Sequence, residues 1–227
     1  MPIFKRSDLQ GLCPIFKRSD LPAEGDLQAE GRSSSEAIFK RSDLQAALLR
    51  SIIIMTRQEK VLKYLTENHI PHSCYNHPEG KTIEEAKRWW KDDGSVHCKN
   101  IFMRNHKGTK HYLICFDCDH DLAIHDLEQR LKATLLAAGK NSPGKLSFAS
   151  PERMLKYLGL EPGSVSPFGL INDEEHHVIL FLDKNLLQAQ ALSFHPNDCR
   201  GTVVIQRDDF QRYLQCVGNH VEWIELY

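Results

Sequence analysis

Three short polar segments interrupt an otherwise apolar scaffold, and they carry the residues best suited to chemistry. Lys99-Asn100 stands directly before the core-like run Ile101-Phe102-Met103. A lysine drawn into a cleft there gives up side-chain entropy and hydration, so something must compensate it. The second segment is the Pro/Gly-rich passage GSVSPFGLIND, Gly163 to Asp173. The third is His195-Pro196-Asn197-Asp198, which follows the apolar run ALSF. Taken one at a time, each is accounted for by a strand edge or a turn.

Two other chemistries compete. Cys115-x2-Cys118 with His120 and His125 downstream has the residue types of a zinc site. Cys115 falls inside the strand-like YLICF, however, and no second paired cluster exists, so no metal is expected. A cysteine nucleophile at Cys98 or Cys199 is the other candidate. His97 and Cys98 are adjacent on a strand and point to opposite faces, so they would not meet as a nucleophile–base pair.

Composition bounds the classes. The chain has 227 residues, enough for one sizeable core, with 26% charged and 41% hydrophobic residues. Its formal net charge of −1 excludes a global basic field for a long nucleic-acid footprint, though not contact with the end of one. Seven scattered cysteines fit a reducing compartment better than a disulfide framework, and the apolar run Ala46–Met55, broken by Arg50-Ser51, is too short to span a bilayer. A cytoplasmic protein without a membrane partner is expected.

The elements that must hold these segments begin late in the chain. Residues 1–54 contain IFKRSDL three times, at 3–9, 15–21 and 38–44, separated by Gly-, Ser-, Glu- and Pro-rich stretches. The unequal spacing excludes a stacked solenoid, and each copy offers too few apolar side chains to offset its ordering entropy. This part reads as a disordered, dispensable extension or a start-site artefact, with Met55 as the working beginning. From there the capping box Thr56/Glu59 opens a helix over about 56–68, and a short strand follows near 72–76. A second capping box, Thr82/Glu85, opens a helix expected to run through Trp89-Trp90. Residues 97–116 form a hairpin around Asn105-His106-Lys107-Gly108. An amphipathic helix ends at Gly139, and KLSFA is a strand. Pro151 opens another helix, then strands are expected at HHVILFLD, ALSFH and TVVIQ, a helix at 207–216, and a last strand VEWIEL. Interleaved helices and strands give an α/β class with a mixed sheet, as a single domain over 55–227.

In chain order, CKNIFMRN with KGTKHYLICF, LSFASPERMLKYLGLEPGSVSPFGLIND and LSFHPND resemble the freestanding prolyl-tRNA editing proteins of the YbaK-like, synthetase-associated domain family. The resemblance covers 55–227 and none of 1–54. It implies a partly barrel-like central sheet flanked by helices and a trans-acting deacylase without cofactor. The implied substrate is mischarged tRNA(Pro), alanine being the first expectation, with prolyl-tRNA synthetase as a further partner. A synthetic site excludes an amino acid smaller than its own poorly, and a second, hydrolytic site restores the discrimination. The resemblance also implies Lys99 as the central residue for activity, with Asn100 beside it. Gly163, Ser164, Ser166, Pro167, Phe168 and Gly169, together with His195, Asn197 and Asp198, are implied as walls of the aminoacyl pocket. The chain departs from the family pattern at Cys199-Arg200-Gly201.

An aminoacyl ester is activated, so a catalyst need only orient water and stabilise an oxyanion. Lys99 is assigned to the 3′-terminal phosphate or the ester oxygen, Asn100 to the carbonyl or amine, and His195 to the water or the substrate amine. The adenosine 2′-OH, donor and acceptor at once, lies beside the scissile bond. Two alternatives remain: a deacylase for cysteine or another small residue, discriminated by Phe168, Ile171 and Phe194, and a non-catalytic module binding the tRNA end or the synthetase. Lys87, Arg88, Lys91, Arg104 and Lys107 are candidates for a local basic patch.

Overall fold

Thr56 accepts the Glu59 N–H at 3.1 Å while Glu59 takes the Thr56 N–H at 2.7 Å, so the first capping box closes as its sequence demands. The computed structural model describes residues 55–137, 139 and 142–227, and the repeats of 1–54 lie outside them. The capped helix α1 spans Arg57–Glu67 and buries Val61 and Leu65. Strand β1, Ser73–Asn76, follows. The second capping box also forms, with Glu85 N–H to Thr82 Oγ1 at 3.3 Å, but its helix α2 is only Ile83–Ala86. The expected continuation through Trp90 is lost to a tertiary contact, because Trp90 turns to stack on His97 with ring centroids 3.9 Å apart and planes 7° apart.

The hairpin is β2, Ser95–Asn105, and β3, His111–Asp117. Helix α3, Ile124–Ala137, precedes the short strand β4, Leu146–Phe148, and helix α4, Pro151–Leu158. The Gly163–Asp173 passage is more ordered than a loop. It holds a 3-10 helix over Pro167–Asn172, capped by Ser166 Oγ accepting the Phe168 N–H at 3.2 Å. Strand β5 is Val178–Asp183, β6 is Ala191–Phe194 and β7 is Gly201–Gln206. Helix α5, Arg207–Val217, ends on Gly218 in the left-handed region at φ 73°, and β8 covers Val221–Ile224. The last strand is shorter than expected because Leu226 leaves it, its N–H donating to Asp183 Oδ1 at 3.2 Å.

The eight strands make one mixed sheet in the order β1-β7-β6-β2-β3-β5-β8, with β4 added to β2. Its two faces are fed by alternate residues of β2 and β3. Phe102, Leu113 and Cys115 join the α1, α5 and 3-10 side chains in one core. Met103, Tyr112, Ile114 and Phe116 join Leu127, Leu131 and Leu135 of α3 in the other. Among the described residues no helix is long and apolar enough to cross a membrane.

Candidate active site

The pairing of β2 leaves a gap. One edge is occupied by β3 from Cys98 to Arg104. On the other, β6 pairs with Ser95–His97 and β4 with Met103–Asn105, so no described strand pairs with β2 over 98–102. Backbone groups alternate between the edges of an antiparallel strand. The His97 carbonyl accepts from Cys118 on the β3 side, whereas the Phe102 carbonyl accepts from Ala149 on the other. By that alternation the N–H and C=O of Asn100 point into the gap.

A cleft of about 610 Å³ opens there, lined by Lys99, Asn100, Gly163 and His195 together with Thr82–Lys87 residues and Phe148. Lys99 and Asn100 reach it from opposite faces of the strand. Lys99 lies on the α3 face, its Nζ 5.9 Å from the Phe116 ring centroid. Its partner Asp121 is exposed and 3.7 Å away, a contact of little strength and readily displaced by a ligand anion. Lys87 is committed to Asp119 at 2.7 Å, which raises the lysine and lowers the carboxyl from their ordinary pKa values. Asn100 turns to the opposite face. Its Nδ2 reaches the Cys98 carbonyl at 3.4 Å, while its Oδ1 is buried and has no partner among the described residues. A buried, unpaired acceptor is costly, and a donor brought by a ligand would satisfy it.

His195 Nδ1 lies 3.2 Å from the Gly201 carbonyl. A carbonyl only accepts, so Nδ1 carries the proton and the neutral ring keeps a lone pair on Nε2. Burial lowers the His195 pKa, and the neighbouring His77 lowers it further against the opposing pull of the Gly201 bond and Asp198. The ring is therefore neutral near pH 7 and equipped to accept a proton or hold a water.

The remaining residues marked in the sequence stand behind the wall instead of on it. Ser164 and Ser166 are buried, and Ser166 caps the 3-10 helix. The Pro167 carbonyl accepts from Tyr213, and Phe168 sits in the core at edge contact with Tyr213 and Phe194. Gly169 is a packing glycine, since a Cβ there would lie 2.8 Å from Leu160 Cδ1. Asn197 is buried at φ 60° and donates to the Phe168 carbonyl at 3.1 Å, tying the third polar segment to the second. Asp198 pairs with Arg200 at 2.6 Å. The suggested discriminators Phe168 and Phe194 are thus core residues, and the apolar lining of the cleft, besides Trp90, Ile101 and Phe148, includes Ile83, Met154 and Val165. These three escaped sequence reading because they look like ordinary amphipathic-helix and loop positions.

The cysteine nucleophile fares poorly. Burial holds the Cys98 thiol well above its ordinary pKa and raises Cys199, so neither is a thiolate at neutral pH. Of the zinc-type set, Cys115 is fully buried in β3, whereas the ligand atoms of Cys118, Asp117 and Asp119 lie within 4.8 Å of one another, a group able to hold a metal ion. The basic patch is divided, with Lys91 lying over Tyr75 at 4.5 Å and Arg104 folded back onto the His106 carbonyl at 3.1 Å.

Residues 77–213 match the aminoacyl-tRNA editing domain. The chain is 36% identical over 172 residues to prolyl-tRNA editing protein ProX of Acetoanaerobium sticklandii, covering 76% of this chain and 99% of that one. It is 27% identical over 164 residues to prolyl-tRNA synthetase associated domain-containing protein 1 of Xenopus laevis, covering 71% and 92%. The fold matches the crystal structure of a candidate trans-editing enzyme for prolyl-tRNA synthetase, with a TM-score of 0.52 at 20% identity over 76% of this chain and 98% of that one. These matches place the chain in the aminoacyl-tRNA editing domain family, as an aminoacyl-tRNA deacylase.

Proposed function

We propose that the chain hydrolyses, in trans, the ester between a small amino acid and the terminal adenosine of tRNA(Pro), with alanine as the principal substrate. The similarity to a prolyl-tRNA editing protein supports the tRNA, and the apolar lining at Ile83, Met154 and Val165 supports a small aliphatic side chain. Relatives named for association with prolyl-tRNA synthetase support that enzyme as a partner in the cytoplasm.

The observation that carries the mechanism is the open edge of β2, where Lys99, the main chain of Asn100 and its unpaired Oδ1 converge. Lys99 takes the terminal phosphate from one face of the strand. The aminoacyl group lies on the other, with its α-ammonium donating to Asn100 Oδ1, and the Asn100 N–H stabilises the oxyanion. His195 Nε2 accepts a proton from the attacking water. The water oxygen bonds to the carbonyl carbon, the bond to the ribose oxygen breaks, and that oxygen takes the proton. The products are free amino acid and uncharged tRNA. No side-chain nucleophile is needed.

The test is release of labelled amino acid from alanyl-, cysteinyl- and prolyl-tRNA(Pro) by the full chain beside a Lys99→Ala variant. Alanine release that falls at least a hundredfold in the variant is expected, with prolyl-tRNA spared. Preferential loss of cysteine would move the substrate, and a normal rate in Lys99→Ala would overturn the mechanism.

A further inference from the structure

Phe148 is 57% exposed although it lies within the cleft. Its register explains where it points. Phe148 pairs with Met103 of β2, and Leu146 pairs with Asn105. Leu146 and Met103 both belong to the core under α3, so Phe148 shares the face of Met103, Ile101 and Lys99. Successive residues on that face are spaced by about 6.6 Å along the strand. The open edge therefore presents, in order, a weakly engaged cation, a half-buried aliphatic floor and a bare phenyl ring. That order matches the phosphate, sugar and base of one nucleotide. The opposite face of the same edge carries Asn100 and leads to the apolar lining, so a nucleotide on the Phe148 face would direct its acyl group around the strand.

We propose that Phe148 is the stacking platform for the terminal adenine of the tRNA, with Ile101 beneath the ribose and Lys99 at the phosphate. The inference rests on the deacylase reading, to which it adds a base subsite. Unpaired bases at RNA ends are bound by stacking on aromatic side chains, and a solvent-exposed phenyl ring gains most from such a partner. Its exposure also makes substitution benign for the fold, since little of the ring is packed.

The test uses adenosine 5′-monophosphate and ribose 5-phosphate, titrated into the full chain and followed by NMR. Wild type is expected to bind the nucleotide about tenfold more tightly than the sugar phosphate, a preference lost in Phe148→Ala and kept in Phe148→Trp. An unchanged preference in Phe148→Ala overturns the subsite, and so does a wild type that binds neither probe or both equally. Alanyl-tRNA(Pro) hydrolysis is measured beside it. Phe148-dependent nucleotide binding without hydrolysis would sink the deacylase reading and leave the subsite. Hydrolysis with nucleotide binding indifferent to Phe148 would sink the subsite alone.

Discussion

His195 shows how one side chain is tuned by position. Its Nδ1 proton is fixed on the Gly201 carbonyl and its ring is partly buried in the cleft wall, so the protonated form is penalised. The pKa is lowered, which sets the sign of the pH dependence: the base stays neutral through pH 6.5 and is lost only as pH falls further. The acid limb of kcat/KM for alanyl-tRNA(Pro) is thus expected below pH 6.5. His195→Ala should lower kcat/KM by about a hundredfold and flatten that limb. An acid limb unaltered by the substitution would remove His195 from the proton path. A neutral Gln at 195 separates the roles, because it restores a water-holding acceptor without restoring the limb.

At the scale of elements, two polar turns are built as one brace for the cleft. Asn197 adopts φ 60°, which Asn tolerates better than most side chains, and its amide bonds the Phe168 carbonyl. Asn197→Ala loses the bond and keeps the strained backbone, so a destabilisation of about 2 kcal/mol is expected by denaturant titration. Asn197→Gly relieves the backbone and should cost less than the alanine variant; a larger cost would show that strain plays no part. The hairpin, both capping boxes and the mixed sheet were legible in the sequence, because local pattern and final packing agree there. The polar segments were legible as segments. Which members face the cleft was not, since Ser166 and Asn197 have the residue types of a binding loop yet turn Oγ and Nδ2 to the 3-10 helix. Phe148 reads as an ordinary strand residue in LSFAS, and its exposure depends on β4 covering only the last residues of β2. The short α2 was hidden for a similar reason, Trp90 leaving the helix for a ring 7 residues ahead at His97.

For the whole molecule, the buried His111 couples stability to pH. It lies at the start of β3 with Arg153 of α4 donating to its Nε2 at 2.9 Å, so its Nδ1 proton goes to His177 Nε2 at 2.8 Å. Arg153 also holds the Gly108 carbonyl at the hairpin turn at 2.8 Å, and Tyr157 packs on the ring at 4.1 Å. One neutral imidazole therefore joins hairpin, α4 and the segment before β5. Burial, with His177, Arg153, Lys156 and Arg104 nearby, lowers its pKa to about 4. Below pH 6.5 the unfolded chain binds a proton that the folded chain refuses, so stability falls as pH drops from 6.5 toward 4 and then levels for this group. The slope one such histidine imposes is at most about 1.4 kcal/mol per pH unit. His111→Gln can still accept from Arg153 and donate to His177 but does not titrate. Its urea midpoint should fall less steeply than wild type across that window, the remaining slope coming from His97 and His195, whose pKa values burial also lowers. Paired carboxylates such as Asp119 and Asp198 act at lower pH, because their pKa values lie below the ordinary carboxylate range. Parallel midpoint curves for wild type and His111→Gln would mean that His111 is protonated in the folded protein, and the three-element junction would then have to be held by a charged ring facing Arg153.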